Sequence, residues 1–518
     1  MNVQIRRLAT VFILLYGALF VQLNIIQLFG AERLNNDPNN TRPLYDDFDE
    51  RRGDIVSADG ALLATTVEIE DPRFERQRTY PTGDLFGHVS GFFSFNFGAD
   101  GVEREYDDLL SGDTNKQKFS DLGAILHERD LTADIELTLR RDVQQVARDA
   151  LGDRKGSVVA IDPRTGAILA AHSWPNYDPS KLSDPDAARA EEARQELLAA
   201  DGNPLLPKFY REIFFPGSTF KVITAAAGLE TGAVGLADPV YPTVTSYTPP
   251  LSTRPISNFE GSSCGGRLIE VLRRSCNSAF TQMAAEQLGP NPMIDMAEAF
   301  GFNWELPIDL PAPAVSNFPT DYGSFVAPIT EYVEDPFPGP NGEPAEVFDS
   351  QATLAQAAIG QNDVKATPIL MAMVAGAIAN DGLMMKPYVM DRAVDQTGDV
   401  VAETEPSLWI QSTRPSTAAT LQIAMEDVVK GGTASGLAIN GFTVGGKTGT
   451  AQLGTPEPQS HAWIIGYAGP SGEPASVAVA VLVEAQQGAS EQTGGRVAAP
   501  IARAVLEQAL RPIEPVTD

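Results

Sequence analysis

The sequence predicts an α+β fold built on one antiparallel sheet. Residues 156–173 contain two β-rich apolar runs around the turn Asp162-Pro163-Arg164-Thr165-Gly166, which is the pattern of a β-hairpin. Three further strand patterns lie near the C-terminus, at 443–452, 461–468 and 476–484. Helical patterns dominate between them, so we expect five strands from distant parts of the chain to close one sheet flanked by helices.

Composition indicates a globular protein of two to four domains. The chain has 518 residues, of which 43% are hydrophobic and 20% are charged. The formal net charge of -30 argues against a nucleic-acid-binding surface, so no nucleic-acid partner is expected. The two cysteines and four histidines do not have the spacing of metal ligands, and no metal site is expected.

The N-terminal segment has the pattern of a membrane anchor. Residues 8–29 carry no charge, Arg6 and Arg7 precede them, and acidic residues follow. We therefore predict a cytoplasmic tail over 1–7, a transmembrane helix over 8–30, and an extracytoplasmic location for the rest of the chain. A cleaved signal peptide is the alternative, but the run is long for one and lacks a clear cleavage site.

The remaining chain divides by pattern into a small α+β spacer or interaction domain over 31–152, a larger domain over 153–512, and a tail over 513–518. The spacer contains one predicted helix, near 137–151. In the larger domain, residues 304–349 are rich in proline and acidic residues and predict a long surface loop. Further helices are predicted at 184–201, 268–274, 278–288, 355–379 and 496–510.

The first candidate catalytic pair is Ser218 and Lys221. Pro216 and Gly217 precede an Ala-rich run, so Ser218 should begin a helix with Lys221 one turn along the same face. A serine nucleophile needs an adjacent base, which a lysine can supply if burial or a second cation lowers its pKa. Alone, the pair also fits an ordinary helix start with a surface lysine.

Two later motifs complete a known pattern. Ser275-Cys276-Asn277 lies between two predicted helices, and Lys447-Thr448-Gly449-Thr450 begins the late strands. Ser-x-x-Lys, Ser-x-Asn and Lys-Thr-Gly in this order are typical of serine acyltransferases that react with penicillin. Ser94-Phe95-Asn96 also matches the second motif, but it precedes Ser218 and lies in the predicted spacer, so we set it aside.

With these motifs the chain resembles the class B penicillin-binding proteins, most closely the actinobacterial penicillin-binding protein A type. Further matching segments are Arg51-Arg52-Gly53-Asp54-Ile55, Gly101-Val102-Glu103-Arg104-Glu105-Tyr106-Asp107, Pro216-Gly217-Ser218-Thr219-Phe220-Lys221 and Gly360-Gln361-Asn362, the last with Asn in place of a family Gly. The resemblance covers residues 51 to about 510. It implies the penicillin-binding, serine β-lactamase-like fold, a three-layer α/β arrangement.

The resemblance implies a role for each catalytic residue. Ser218 would attack the carbonyl between two D-alanines of a stem pentapeptide, with neutral Lys221 as the base. Ser275 would pass the proton to the leaving amine, and Asn277 would hydrogen-bond the donor backbone. Lys447 would lower the pKa of Lys221 and add a positive field.

The same resemblance assigns the substrate-binding strand. The hydroxyls of Thr448 and Thr450 would bind the substrate carboxylate, and Gly449 would let the substrate lie close to an edge strand. The oxyanion hole would be the backbone N–H groups of Ser218 and Thr450. Metal ions and organic cofactors are not required.

The implied function is a membrane-anchored D,D-transpeptidase that cross-links peptidoglycan stem peptides and is acylated by β-lactams. Implied partners are the stem pentapeptide, an amine acceptor strand, the plasma membrane, a polytopic SEDS-type glycosyltransferase and division or elongation proteins. The alternatives are a β-lactamase, a D,D-carboxypeptidase, and a non-catalytic penicillin sensor or division scaffold.

The two cysteines lie close to one of these motifs. Cys276 is the middle residue of Ser-x-Asn, and Cys264 lies 276 − 264 = 12 residues earlier. Outside the membrane we expect a disulfide between them that braces the loop before Ser275. Two free buried thiols are the alternative.

Overall fold

A computed structural model describes most of the chain and divides it into two compact units. One unit comprises Met1–Arg51 and Val67–Gln77, and the other comprises Arg52–Thr66 and Arg78–Asp518. Every candidate site residue lies in the second unit. The described residues are 2–25, 48–112, 131–453, 459–485 and 493–515.

The strands are named in chain order. They are β1 (Ile55–Val56), β2 (Leu62–Glu68), β3 (Arg76–Thr79), β4 (Phe93–Ser94), β5 (Gly98–Ala99), β6 (Ala133–Leu137), β7 (Gly156–Ile161), β8 (Ile168–Trp174), β9 (Tyr241–Val244), β10 (Ser246–Tyr247), β11 (Ile256–Ser257), β12 (Cys264–Gly266), β13 (Phe325–Pro328), β14 (Glu346–Phe348), β15 (Leu383–Met385), β16 (Met390–Asp395), β17 (Val400–Glu403), β18 (Leu408–Gln411), β19 (Phe442–Gln452), β20 (Ser460–Pro470) and β21 (Val477–Val483).

The α-helices are named in the same way. They are α1 (Asn2–Ile25), α2 (Gly87–Ser90), α3 (Gly101–Glu105), α4 (Asp107–Ser111), α5 (Arg141–Leu151), α6 (Ala187–Ala199), α7 (Lys208–Arg211), α8 (Lys221–Thr231), α9 (Leu268–Arg273), α10 (Asn277–Gln282), α11 (Pro290–Ala299), α12 (Gln351–Ala357), α13 (Pro368–Ala379), α14 (Pro415–Gly431) and α15 (Ala499–Ala509). Single turns of other helix types include Gly217–Phe220 and Ser435–Leu437, which are 3₁₀, and Met283–Leu288 and Gly494–Ala498, which are π-type.

The N-terminal helix α1 is 24 residues long. Its side chains from Leu8 to Phe20 are exposed. Among the described residues, no helix combines the length and apolar character needed to cross a membrane. The transmembrane helix over 8–30 is thus not confirmed, and residues 26–30 of it lie outside the described part of the chain.

The predicted antiparallel sheet is confirmed. Its strand order is β19-β20-β21-β7-β8, and every neighbouring pair is antiparallel. The early hairpin supplies β7 and β8, and the late meander supplies the other three strands. All residues of β7 and β21 are buried, so both faces of the sheet are covered by other layers. Helices α13 and α15 both pack against β21.

A second sheet was not anticipated from the sequence. Its strand order is β17-β16-β6-β1-β2-β3. Strand β6 pairs in parallel with β1 and antiparallel with β16, so residues 390–395 join a sheet with residues of the predicted spacer. Such pairing depends on contacts between residues more than 250 positions apart, which no local pattern encodes.

The predicted single helix over 355–379 is wrong, because two helices, α12 and α13, occupy this region. Gly360 and Asn362 in the connection have φ of +69° and +61°, in the left-handed region that ends a right-handed helix. Pro368 then starts α13 at its first position, where proline is favoured. The other predicted helices appear with shifted ends, as α5, α6, α9, α10 with its following turn, and α15.

Candidate active site

Ser218 lies in a single helical turn, Gly217–Phe220, that leads directly into α8, as the sequence predicted. Gly217 has a φ of +53°, and its N–H donates to the Gly360 carbonyl at 2.9 Å. A Cβ at position 217 would lie 2.8 Å from the Thr450 carbonyl oxygen. The serine turn is therefore held between the 358–367 connection and β19, and a side chain at position 217 would separate them.

Lys221 is fully buried, and its amine contacts the Ser-x-Asn motif. Its Nζ donates to the Ser275 carbonyl at 2.8 Å and to Asn277 Oδ1 at 2.6 Å, and it lies 3.3 Å from Ser275 Oγ. Within the described residues no hydrogen bond joins Lys221 to Ser218 Oγ. Ser218 and Lys221 are thus close together along the helix, and the lysine is oriented by the Ser-x-Asn motif.

Lys447 approaches the same serine from the sheet. This side chain is also fully buried, and its Nζ donates to Ser275 Oγ and to the Thr448 carbonyl, both at 2.9 Å. Burial lowers the pKa of Lys447 to about 7. Burial, and secondarily the charge of Lys447, hold the pKa of Lys221 well below its usual value. Both lysines can therefore be neutral at a pH at which an exposed lysine is charged.

The contacts around Ser275 Oγ form a proton path. A neutral amine has two N–H groups and one lone pair. In neutral Lys221 the two N–H groups are used by the Ser275 carbonyl and Asn277 Oδ1, so the lone pair is left for the Ser275 hydroxyl proton. Protonated Lys447 can meanwhile donate to Ser275 Oγ. Ser275 can therefore carry a proton between the two lysines.

The backbone of Ser275 is in the left-handed region, with a φ of +58°. Helix α9 ends in a Schellman motif, in which the N–H of Ser275 bonds to the Leu272 carbonyl and that of Cys276 to the Val271 carbonyl. The left-handed position of this motif is usually glycine, because a Cβ there costs about 1–2 kcal/mol. A serine at this position indicates that its hydroxyl is retained in spite of the strain.

This strain predicts a difference between two variants that both lack the hydroxyl. Ser275→Gly should have a free energy of unfolding about 1 kcal/mol larger than Ser275→Ala, because only alanine keeps the strained Cβ. Both variants should lose acylation by a fluorescent penicillin to a similar degree. Urea denaturation measures the first effect, and equal or greater stability of Ser275→Ala would show that the left-handed backbone is not strained.

Cys264 and Cys276 are joined by a disulfide with a Cα–Cα distance of 5.6 Å, as predicted. Both residues are buried. Cys276 directly precedes α10, which begins at Asn277, and Cys264 begins β12, which pairs with β9. The bridge ties the turn that carries Ser275 to the β9–β12 strand pair.

Asn277 uses its amide in two directions. Its Oδ1 accepts from Lys221, and its Nδ2 donates to the Ser257 carbonyl at 2.8 Å. The amide NH₂ has a second N–H, and the side chain lines the central cavity. Asn277 is therefore oriented to hold the lysine, with a donor left for the backbone of a bound peptide.

The strand β19 lies at the edge of the five-stranded sheet, as the Lys-Thr-Gly motif predicted. Thr448 and Thr450 line the cavity, and Thr448 Oγ1 hydrogen-bonds to Thr433 Oγ1 at 2.7 Å. A Cβ on Gly449 would lie 2.7 Å from the Pro216 carbonyl and 2.9 Å from Thr219 Cγ2. Gly449 thus permits a close approach of the Ser218 turn to β19, and the close approach of substrate at this position stays a prediction.

A cavity of about 890 Å³ opens over these residues. Five of the eight predicted site residues line it, while Lys221, Lys447 and Gly449 lie behind its wall. The other lining residues were not predicted, and no pattern gave a signal for them except that Gln361 and Asn362 belong to the Gly360-Gln361-Asn362 motif. They include Phe259, Arg274, Gln361, Thr433, Gln452 and Arg496.

Two family models match the chain. Residues 156–507 match the penicillin binding protein transpeptidase domain. Residues 52–134 match the penicillin binding protein A dimerisation domain. The first match spans more than half of the chain and includes all eight predicted site residues.

Curated relatives match over nearly the whole length. The peptidoglycan D,D-transpeptidase PbpA of Mycolicibacterium smegmatis is 37% identical, and that of Mycobacterium tuberculosis is 35% identical, each with 99% of both chains covered. The structure of M. tuberculosis penicillin-binding protein A as a ceftriaxone acyl-enzyme is also similar, with a TM-score of 0.78 and 33% identity. That match covers 90% of this chain and 100% of the other.

Proposed function

The chain belongs to the penicillin-binding protein transpeptidase family, in its class B, PbpA-type branch, and is a serine D,D-transpeptidase; from this premise we propose that Ser218 is the residue that is acylated. One observation carries the proposal. Two buried lysines of lowered pKa meet at Ser275 Oγ, beside a cavity that contains Ser218. This arrangement can take a proton from a serine and return it to a leaving amine.

In the first step Ser218 Oγ attacks the carbonyl carbon between the two terminal D-alanines of a stem peptide. The hydroxyl proton passes to neutral Lys221, whose lone pair turns from Ser275 Oγ to Ser218 Oγ for this step. The oxyanion forms near the N–H groups of Ser218 and Thr450. The C–N bond then breaks. The departing D-alanine amine receives a proton through Ser275, and an ester on Ser218 remains.

In the second step an amine from a neighbouring stem peptide attacks this ester. It loses a proton to the same lysine relay, a new amide cross-link forms, and Ser218 regains its hydroxyl. Water in place of the amine would give D,D-carboxypeptidase activity, which is the alternative outcome of the same acyl-enzyme. Thr448 and Thr450 line the cavity where the terminal carboxylate would bind.

Covalent labelling tests the proposal. Full-length protein should form a stable adduct with a fluorescent penicillin, and Ser218→Ala should form none, because the hydroxyl that forms the ester is absent. Ser94→Ala is the matched control, since Ser94 belongs to the other Ser-x-Asn sequence, and it should label normally. Labelling of Ser218→Ala at the wild-type level would refute the assignment of the nucleophile.

We further propose that residues 8–30 anchor the chain in the plasma membrane with the catalytic domain outside. The uncharged run after Arg6 and Arg7, and the exposed apolar side chains of α1, support this. Penicillin-labelled protein should remain with membranes through an alkaline carbonate wash, whereas a chain that starts at residue 31 should be released. Release of the full-length chain would contradict the anchor.

The glycan strand that carries the stem peptides is proposed to come from a partner protein. We propose a polytopic SEDS-type glycosyltransferase, acting with division or elongation proteins. Co-purification from detergent-solubilised membranes tests this, with the chain that starts at residue 31 as the control.

A further inference from the structure

The free edge of β19 exposes main-chain groups in a regular order. The N–H of Leu453, the residue after β19, donates to the Gln459 carbonyl on the β20 side at 3.0 Å. Since pairing groups alternate along an antiparallel strand, even-numbered residues then direct their N–H and C=O groups to the open edge. The Thr448 carbonyl, which accepts from Lys447 Nζ, fits this alternation. The edge therefore presents Thr448, Thr450 and Gln452 in sequence.

Gln361 occupies the last of these positions. With its amide oriented by its hydrogen-bond partners, Gln361 Nε2 donates to the Gln452 carbonyl at 3.2 Å, and Oε1 accepts from the Gln452 N–H at 3.3 Å. The carboxamide thus pairs with β19 as one peptide unit of an added strand would. Both side chains line the cavity that contains Ser218.

The loop that carries Gln361 is held against the nucleophile turn. The Gly360 carbonyl accepts from the Gly217 N–H at 2.9 Å, and the Gln361 N–H donates to the Gln356 carbonyl at 3.1 Å. The position of the carboxamide is therefore set relative to Ser218 by the main chain on both sides. A donor peptide in the cavity would therefore contact the Gln361 carboxamide in a fixed position.

We propose that Gln361 determines donor specificity by ending the peptide-binding edge of β19 at Thr450. The inference rests on the proposed function, in which a donor lies along this edge with its acylated D-alanine opposite Thr450. The next residue of β19 that can pair with the donor is Gln452, two residues after Thr450 and about 6.7 Å from it. The Gln361 carboxamide already occupies the main-chain groups of Gln452. The proposed donor is a peptide that ends in D-alanyl-D-alanine. Its main chain pairs with β19 at the penultimate D-alanine and turns away from β19 before the residue two positions N-terminal to that D-alanine.

A pair of synthetic donors tests this in the full-length protein. Both donors are thioesters with a penultimate D-alanine and two residues N-terminal to it. They differ only in that one donor carries an N-methyl group on the first of these two residues in chain order, which would face Gln452. The wild type should use both with the same kcat/KM to within about two-fold. Gln361→Ala frees Gln452, so it should prefer the unmethylated donor by about five-fold, the contribution of one hydrogen bond.

Controls separate this role from a structural one. A short thioester without the upstream residues should react equally well with wild type and with Gln361→Ala and Gln361→Met. The inference is overturned if wild type already discriminates against the N-methyl donor, if Gln361→Ala shows no preference, or if both variants fail with the short donor. Failure of the proposed function would look different, since the wild type would then not be labelled by penicillin.

Discussion

Replacement of Lys221 by methionine should slow acylation of Ser218 by about 10²–10⁴-fold, the usual contribution of a general base. Lys221 lies one helical turn after Ser218, is fully buried, and is the lysine whose pKa is lowered by both burial and a neighbouring charge. It can therefore be neutral while most lysines are charged. The measurement is the second-order rate constant for acylation by a penicillin near pH 7.

A second substitution separates proton transfer from charge. Lys221→Arg keeps the positive charge, but its guanidinium does not lose a proton near pH 7 and cannot act as a base. It should therefore be as slow as Lys221→Met. Lys430→Met, which alters an exposed lysine paired with Glu426 on α14, is the control and should react like wild type. Acylation of Lys221→Arg within ten-fold of wild type would show that Lys221 is not the base.

Lys447→Met should have the second large effect, a reduction of about 10²-fold together with a changed pH profile. In the wild type, acylation should rise with pH as Lys221 loses its proton. It should then fall as Lys447, with a pKa of about 7, loses the charge that it directs at Ser275. Rising pH changes the acylation rate in opposite directions through the two lysines, because Lys221 acts deprotonated and Lys447 acts protonated.

Without Lys447, one of the two causes that lower the pKa of Lys221 is gone. The acid limb of the profile should therefore move to higher pH, while the alkaline limb near pH 7 should disappear. Burial is the larger cause and remains, so the pKa of Lys221 should stay below that of a free lysine. An acid limb that does not move would mean that the two amines are not electrostatically coupled.

Local patterns predicted much of this site. The strands of the early hairpin and the late meander were readable because turn residues and apolar runs are local features. The same holds for the helix start at Ser218. The order of the three motifs indicated the chemistry, and the structure brings Lys221, Ser275, Asn277 and Lys447 into one hydrogen-bonded group. The disulfide between Cys264 and Cys276 was also expected.

Other features depend on contacts that no local pattern records. The break between α12 and α13 follows from the left-handed backbone of Gly360 and Asn362. Both residues belong to a family motif, but the motif alone does not indicate that the helix predicted over 355–379 is interrupted there. Strand β16 was missed because its partner β6 lies more than 250 residues earlier. Thr433 and Gln361 gave no chemical signal, since each becomes part of the site only through a hydrogen bond to β19.

The short motifs predict which residues carry the chemistry, because a nucleophile, its bases and the substrate-binding hydroxyls are encoded as residue types at fixed positions. The coupling between these residues depends on how the chain packs. Burial of two lysines around one serine hydroxyl sets their pKa values, and desolvation is a property of the surrounding packing rather than of neighbours in sequence. The same packing decides that Gly449 serves contact with the Ser218 turn and that β19 is open only as far as Thr450.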